Sequence, residues 1–202
     1  MKVVMINGSP RGRNGASGKI IAALCDRLSD VQERVVCELA KQSAAEVVDA
    51  IRGCDALVFV FPLYVDGLPS GLARFLDEER RAVALAAPRA KIYAVVNNGF
   101  YEARQNAVAI DMMEIFCASS GLAWGRGLGI GCGGMLGEPL SFDRFPLKKL
   151  GRALDVLANN IRGQEGAENY FVEPSIPRFL YMIAGNFGMK REMKKRAKKV
   201  HT

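Results

Sequence analysis

Apolar runs alternate with amphipathic stretches along the chain, and this alternation repeats five times. The apolar runs predict strands at residues 3–7, 34–39, 55–61, 91–97 and 124–130. A helical period predicts helices at residues 17–28, 44–52, 70–86, 104–120 and 144–161. Runs such as VVMI, ALVFVF and IYAVV are apolar throughout, which is typical of parallel strands covered by helices on both faces. The pattern predicts a doubly wound α/β sheet, in which ligands bind at the carboxyl edge of the strands.

The periodic pattern stops after Arg162, at the sequence GQEG. A chain of 202 residues is long enough for one domain of this class with some length to spare. We therefore expect an α/β domain over residues 1–163 and a C-terminal helical appendage over residues 164–202.

The net charge of +7 is concentrated in the appendage, because residues 190–201 contain seven Lys and Arg residues against one glutamate. We expect no nucleic-acid binding, since the aromatic residues of segment 175–189 precede these charges and are not interleaved with them. Two interpretations of the appendage stay open. Its apolar part packs on the fold or across a dimer, or it joins the basic end in a peripheral contact with an anionic membrane.

The composition narrows the class of protein further. Hydrophobic residues make up 50% of the chain and charged residues 24%, which is typical of a globular protein, and no apolar run is long enough to cross a bilayer. The N-terminal apolar run is also too short for a signal peptide. The five cysteines are odd in number and never spaced C-x-x-C, which argues against a disulfide framework, a zinc ribbon or an iron–sulfur cluster. We expect a reducing, cytoplasmic location.

The single histidine, His201, lies next to the C-terminal residue. Ser-His-Asp catalysis, Cys-His catalysis and multi-histidine metal sites are therefore not expected. If the protein is an enzyme, another group must carry the chemistry.

The loop after the first predicted strand, NGSPRGRNGASGK at residues 7–19, is rich in glycine and leads into a helix. Exposed N–H groups at a helix N-terminus attract anions, and the hydroxyl, amide and guanidinium groups of Ser9, Arg11, Asn14 and Ser17 are further donors. A phosphate group is the expected ligand. The loop does not fit the Walker A pattern, and it contains no G-x-G-x-x-G. The alternative is an ordinary turn in which Ser17 only caps the helix.

Three blocks of sequence resemble the flavodoxin-like NAD(P)H-dependent FMN reductases. GSPRGRNGAS is similar to the family's phosphate loop, with one extra residue and with Ser17 in place of the usual threonine. DALVFVFPLYVDGLPS, at residues 55–70, is similar to its third-strand segment, and NNGFYE, at residues 97–102, resembles the loop after its fourth strand. The resemblance covers residues 1–163. It implies a flavodoxin-like doubly wound sheet of five parallel strands in the order 2-1-3-4-5, with helices on both faces.

The resemblance also implies a site for FMN at the carboxyl edge of the sheet. Backbone N–H groups of segment 62–65 are expected to bond the flavin ring, the amides of Asn97 and Asn98 to form the opposite wall, and Phe100 to cover the ring. Each feature has an ordinary alternative, since a strand-end Pro-Leu-Tyr is often core and Asn-Gly is often a turn. The residues predicted to bind the cofactor are Ser9, Arg11, Asn14, Ala16, Ser17, Pro62, Leu63, Tyr64, Val65, Asn97, Asn98, Gly99 and Phe100.

The function implied is that of an FMN-dependent NAD(P)H oxidoreductase that passes electrons to a quinone, a flavin, or an azo or nitro compound. The flavin would carry the chemistry, so no catalytic side chain and no metal is predicted. Two alternatives are a flavodoxin-type electron carrier that docks on protein partners and an interaction protein without a cofactor.

Two further features of the sequence have open interpretations. Glycines at alternate positions from Gly125 to Gly133 leave one face of the fifth strand without side chains, for close packing of a helix or for a ligand or partner subunit. Cys132 in this run is interpreted as a small core residue. The predicted helix 104–120 has a wide apolar face, made of Ile110, Met112, Met113, Phe116 and Cys117. This face fits core packing, and it also fits the homodimer that the resemblance implies.

Overall fold

The computed structural model describes residues 1–137 and 140–183. The strands are β1 (Lys2–Asn7), β2 (Glu33–Glu38), β3 (Ala56–Pro62), β4 (Lys91–Asn97), β5 (Ala123–Ile130) and β6 (Tyr170–Val172). The helices are α1 (Ala16–Arg27), α2 (Ala44–Ile51), α3 (Ser70–Glu78), α4 (Arg80–Ala86), α5 (Ala107–Ser120) and α6 (Lys148–Gly163). Short 3-10 helices lie at Gly12–Asn14, Ala103–Asn106 and Gly133–Gly137.

All six strands pair in parallel in the order β2-β1-β3-β4-β5-β6. The continuously apolar strands β1, β3 and β4 are buried, as expected for strands covered on both faces. One cluster of buried side chains lies between the sheet and helices α1 and α6, and the other lies between the sheet and helices α2 to α5. The predicted flavodoxin-like α/β fold is therefore confirmed, and all parallel strands end at the edge where the predicted site lies.

Within the described residues the sheet has six strands, one more than the sequence predicts. β6 pairs with β5 along three residues, and Gly131 N–H extends this connection by donating to Val172 O over 3.0 Å. A strand of three residues at the sheet edge has too short a pattern to be recognised from the sequence. It lies beyond the predicted domain boundary at residue 163, and that boundary stays a prediction.

All five predicted helices differ from the structure at one or both limits, and the largest differences concern the predicted helices 70–86 and 144–161. The predicted helix 70–86 is divided at Glu79, whose φ of −102° and ψ of 10° interrupt the helix between α3 and α4. The predicted helix 144–161 begins later, at Lys148. Helix ends are the least certain part of a prediction from periodicity, because capping and tertiary contacts decide them.

The apolar face of α5 is divided between core and surface. Ile110, Met113, Phe116 and Cys117 are buried in the core, so core packing accounts for most of the predicted stripe. Val108, Met112 and Ile115 form a different, exposed stripe.

The glycines of β5 are explained by close packing. A β-carbon at Gly127 would overlap Ile110 of α5, and one at Gly129 would overlap the ring of Phe171 in β6. The interpretation that they allow close packing of a helix is confirmed at Gly127, while at Gly129 the neighbour is a strand.

The C-terminal segment is described only in part. Residues 178–183 are helical, with Phe179, Leu180, Met182 and Ile183 exposed. The predicted basic cluster at residues 190–201 and His201 lie outside the described residues, so the role of this tail stays a prediction. No helix in the part of the chain that the structure describes is both long and apolar enough to span a membrane. All five cysteines are unpaired.

Replacing Gly131 with alanine should destabilise the fold by about 1 to 3 kcal/mol, because the added carbon would overlap the backbone carbonyl of Tyr101. Gly71→Ala is the matched control, since Gly71 lies in α3 with nothing within 4 Å of its missing β-carbon. This control should be neutral or slightly stabilising, as alanine favours helices. Urea denaturation measures both variants. Equal unfolding midpoints would contradict the assignment of Gly131 to a tightly packed position.

Candidate functional site

The loops that follow β1, β3, β4 and β5 enclose a cleft of about 240 Å³ at the carboxyl edge of the sheet. Its walls are formed by Ser9, Arg11, Gly15, Ala16, Ser17, Pro62, Leu63, Tyr64, Asn97, Asn98, Gly99, Gly133 and Gly134. This is the edge at which an open parallel sheet binds its ligands.

The loop after β1 is shaped by its own polar groups. Asn7 Oδ1 accepts the Ser9 N–H over 3.0 Å, and Ser9 Oγ accepts the Arg11 N–H over 3.3 Å. The chain then turns at Gly12, whose φ of +54° favours glycine. The result is a compact turn that brings Arg11 and the start of α1 to the wall of the cleft.

The N-terminus of α1 opens into the cleft. Its N-cap residue is Gly15, so no side chain accepts the first N–H groups of the helix. These groups have no acceptors within the helix, and they lie at the positive end of the helix dipole. Gly15, Ala16 and Ser17 all line the cleft, which makes this wall suitable for an anion.

Ser17 is bound to the sheet and does not cap the helix. Its Oγ accepts a hydrogen bond from Asn97 Nδ2 over 3.0 Å, and the same nitrogen donates to Phe61 O over 3.1 Å. The alternative interpretation of Ser17 as a simple cap is therefore wrong. Asn97, the last residue of β4 and only 3% exposed, joins α1 and β3 through these two bonds.

The two arginines of the loop have different environments. Arg11 lines the cleft, whereas Arg13 is paired with Glu38 at the end of β2, with 2.6 Å between Arg13 Nε and Glu38 Oε1. Glu38 also accepts the Arg13 N–H over 3.3 Å and pairs with Lys41 over 3.1 Å. Sequence reasoning missed Glu38, although an acidic residue at the carboxyl end of a strand was a usable signal.

The ion pairs keep the Glu38 carboxyl group ionised. Burial acts to raise the pKa of Glu38, but hydrogen bonds and attraction from Lys41 and Arg13 outweigh burial and hold the pKa below its usual range. The carboxylate therefore anchors the Arg13 side of the loop to β2 at neutral pH.

The loop after β3 is a tight turn from Tyr64 to Gly67. Leu63 N–H donates to Asn97 O over 2.8 Å, and Tyr64 N–H donates to Gly67 O over 3.0 Å. These two N–H groups, predicted to bond a ring, are already engaged. Val65 and Asp66 both have positive φ, 47° and 56°. This backbone conformation is unusual for a β-branched residue such as valine. Val65 is fully exposed at the tip of this strained turn.

The loops after β4 and β5 are bound to each other. Asn98 N–H donates to Ile130 O over 3.1 Å, and Gly133 N–H donates to Asn98 O over 2.6 Å. The Asn98 side chain serves its own loop, because Nδ2 donates to Glu102 O and Oδ1 accepts the Phe100 N–H. Its amide is thus occupied by protein contacts, unlike the predicted role in pairing with a ring.

The cleft brings together ten of the thirteen predicted residues, namely Ser9, Arg11, Ala16, Ser17, Pro62, Leu63, Tyr64, Asn97, Asn98 and Gly99. Asn14, Val65 and Phe100 are exposed and are not part of its walls. Gly15, Gly133 and Gly134 line the cleft in addition. The glycine run that ends at Gly133 was a usable signal, and approach of a ligand was one of its open interpretations.

Cys132 lies behind the cleft and is fully buried. Burial raises the pKa of its thiol to about 12, and the nearby carboxylates of Glu173 and Glu102 act in the same direction. A thiol of this pKa is not a nucleophile at neutral pH, so the interpretation as a core residue is confirmed.

The fold and the cleft define a flavodoxin-like α/β protein with a loop suited to a phosphate group. Residues 1–127 match the model of the NADPH-dependent FMN reductase family. The chain therefore belongs to this family of oxidoreductases. No significant relative was found among curated protein sequences.

Solved structures support the same fold. An NADH:FMN oxidoreductase in its apo form is 17% identical with a TM-score of 0.62, over 83% of this chain and 91% of that protein. An FMN-dependent NADH-azoreductase from Bacillus anthracis in complex with FMN is 11% identical with a TM-score of 0.59, over 79% and 98%. A flavodoxin from Streptococcus pneumoniae is 17% identical with a TM-score of 0.56, over 80% and 99%. At these identities the similarity shows the fold alone.

Replacing Glu38 with glutamine should destabilise the protein by about 1 to 2 kcal/mol at pH 7, because the Arg13 and Lys41 charges lose their partner. The pKa of Glu38 is lower in the folded state, so its stabilisation is present above the ordinary glutamate value of about 4.3 and is lost as the pH falls through the folded-state pKa. The difference between wild type and Glu38→Gln should therefore shrink in acid.

Urea denaturation from pH 7 to pH 3 measures this difference. Asp49→Asn is the control, because Asp49 forms an exposed ion pair with Arg52, 3.5 Å apart. A gap between wild type and Glu38→Gln that stays constant with pH would contradict the role of the charge.

Proposed function

We propose that this protein binds FMN in the cleft, accepts a hydride from NADH or NADPH, and passes the electrons to a small acceptor such as a quinone, a free flavin, or an azo or nitro compound. The observation that carries the proposal is the uncapped N-terminus of α1 in the cleft wall beside Arg11. A helix N-terminus and a guanidinium group together fit the phosphate of FMN.

The rest of the cleft fits a flat ring. A β-carbon at Gly99 would meet nothing within 4 Å, so protein packing does not require glycine there and the space is left to the cleft. Gly133 and Gly134 likewise present backbone and no side chain to the cleft. Tyr64, 42% exposed at the cleft wall, offers an aromatic face to a ring.

The polar groups that remain for a ring are few. No hydrogen bond to Asn97 Oδ1 is formed within the described residues, although its Nδ2 is fully used. The N–H groups of Leu63 and Tyr64 are engaged, and Val65 is not part of the cleft wall. We therefore assign orientation of the ring to Asn97 Oδ1.

When bound, FMN supplies the group that accepts and releases the hydride equivalent, and the chain contributes binding and orientation. No proton-transferring side chain is needed for this step. Asn97 and Ser17, which are 3% and 1% exposed, line the inner end of the cleft.

A flavodoxin-type electron carrier is the second candidate, and the similarity in fold to the Streptococcus pneumoniae flavodoxin favours it. The family match favours the reductase, because the family is named for NADPH-dependent reduction of FMN.

Assembly as a homodimer and a cytoplasmic location belong to the same proposal. The stripe of Val108, Met112 and Ile115 on α5 supports a second copy as the partner, because three exposed apolar side chains on one helix face are suited to a protein interface. Unpaired cysteines support a reducing compartment.

Rapid anaerobic mixing of the FMN-loaded protein with NADPH or NADH tests the function. We expect loss of flavin absorbance within seconds with at least one nicotinamide, followed by its return when a quinone is added. Retained FMN that neither nicotinamide reduces would favour the carrier. Absence of flavin binding after dialysis against FMN would contradict both and leave the interaction protein.

A further inference from the structure

The segment that follows β6 lies across the outer side of two cleft loops. Glu173 Oε1 accepts the Ala103 N–H over 2.8 Å, and Ile176 O accepts a bond from Tyr101 Oη over 2.9 Å. Arg178 forms an ion pair with Glu102, 3.0 Å apart. These contacts join the C-terminal segment 173–183 to residues that directly follow the cleft residues Asn98 and Gly99.

The last contact of this kind reaches the cleft itself. Tyr181 Oη donates to Gly99 O over 2.6 Å, and a β-carbon at Gly134 would lie 3.4 Å from the same hydroxyl. Gly99 and Gly134 both line the cleft, one after β4 and the other after β5. The Tyr181 hydroxyl therefore lies at the junction of the two loops.

Tyr181 differs from its neighbours in the short helix 178–183. Phe179, Leu180, Met182 and Ile183 are exposed, whereas Tyr181 is partly buried, with its ring centroid 6.2 Å from that of Tyr101. Burial raises the pKa of Tyr181, so its hydroxyl stays protonated and able to donate at neutral pH. Among residues 179–183, the structure thus turns one side chain toward the cleft loops.

The Gly99 carbonyl has few other constraints. Gly99 is exposed, and nothing lies within 4 Å of its missing β-carbon. Glycine loses more conformational freedom on ordering than any other residue, so an exposed glycine in a loop is held only by its backbone bonds. The bond from Tyr181 is therefore a direct restraint on this wall of the cleft.

We propose that Tyr181 is a positioning residue of the cofactor site, which holds the Gly99 loop against the Gly134 loop and so slows the release of FMN. The proposal rests on the proposed function, since it takes FMN as the ligand of the cleft. The proposal assigns a residue of the C-terminal appendage to the site, although no residue of segment 173–183 lines the cleft.

Tyr181→Phe removes the hydroxyl and keeps the ring, so the fold should be preserved. We expect about three- to tenfold weaker FMN binding, as for the loss of one hydrogen bond, mainly through faster release. Hydrogen exchange of peptides covering residues 97–104 should be faster in the variant without FMN. Tyr170→Phe is the matched control, because Tyr170 is 46% exposed on β6 and its hydroxyl has no partner within the described residues.

Three measurements decide the proposal: flavin-fluorescence titration, the rate of FMN release, and hydrogen exchange of the apo protein. Unchanged exchange at residues 97–104 in Tyr181→Phe would overturn it, and so would FMN affinity and release equal to those of Tyr170→Phe. If the wild type binds no FMN, the proposed function fails and the assignment of FMN to Tyr181 fails with it. Faster hydrogen exchange at residues 97–104 in Tyr181→Phe would then show only that Tyr181 restrains the Gly99 loop.

A second variant, Tyr101→Phe, separates positioning from general stability. It breaks the bond to Ile176 O and leaves the bond between Tyr181 and Gly99 in place. We expect a smaller effect on FMN release than for Tyr181→Phe. An equal or larger effect would overturn the specific role of the Tyr181 hydroxyl, because anchoring of the whole segment would then explain both variants.

Discussion

Asn97, the last residue of β4, connects the elements that form the cleft. Its side chain donates to Ser17 Oγ on α1 and to Phe61 O on β3, and its backbone carbonyl accepts the Leu63 N–H. Because the residue is buried, each of these polar groups would be costly to leave unpaired, by about 1 to 3 kcal/mol. The hydrogen bonds therefore hold helix α1 at a set distance from the strand ends, before any ligand is present.

The electrostatics of the site follow from how the charges near the first loop are paired. Glu38 is bonded to Arg13 and Lys41, which lie on the β2 side of the loop. Arg11 and the N-terminus of α1 remain as the positive groups of the cleft wall. The loop thus has an anchor on one side and an anion-binding surface on the other.

Much of the fold could be predicted because its signals are local. Continuous apolar runs and helical periods indicate the five main strands, and the placement of loops at one sheet edge follows from parallel pairing. The cleft residues after β1 and β3 were recognisable for the same reason. By contrast, β6 is three residues long, and its pairing with β5 depends on a contact across the sheet that no local pattern encodes.

The residues that sequence reasoning missed act over long separations. Glu38, at the end of β2, forms an ion pair with Arg13 in the first loop. Tyr181, near the end of the described residues, donates a hydrogen bond to Gly99 O. The positive φ at Val65 and Asp66 was also not predicted, because a β-branched valine rarely adopts that conformation. Tertiary contacts decide these features, so they become visible only in the assembled structure.

We propose that the cleft recognises the phosphate of FMN through Arg11, Ser17 and the N-terminus of α1. Titration of the wild type with FMN and with riboflavin, which lacks the phosphate, tests it most directly. We expect at least about a hundredfold preference for FMN, since each charge-assisted hydrogen bond contributes about 1.5 to 3 kcal/mol. The double variant Arg11→Ala and Ser17→Ala should lose most of this preference. Equal affinity of the wild type for FMN and riboflavin would contradict the claim.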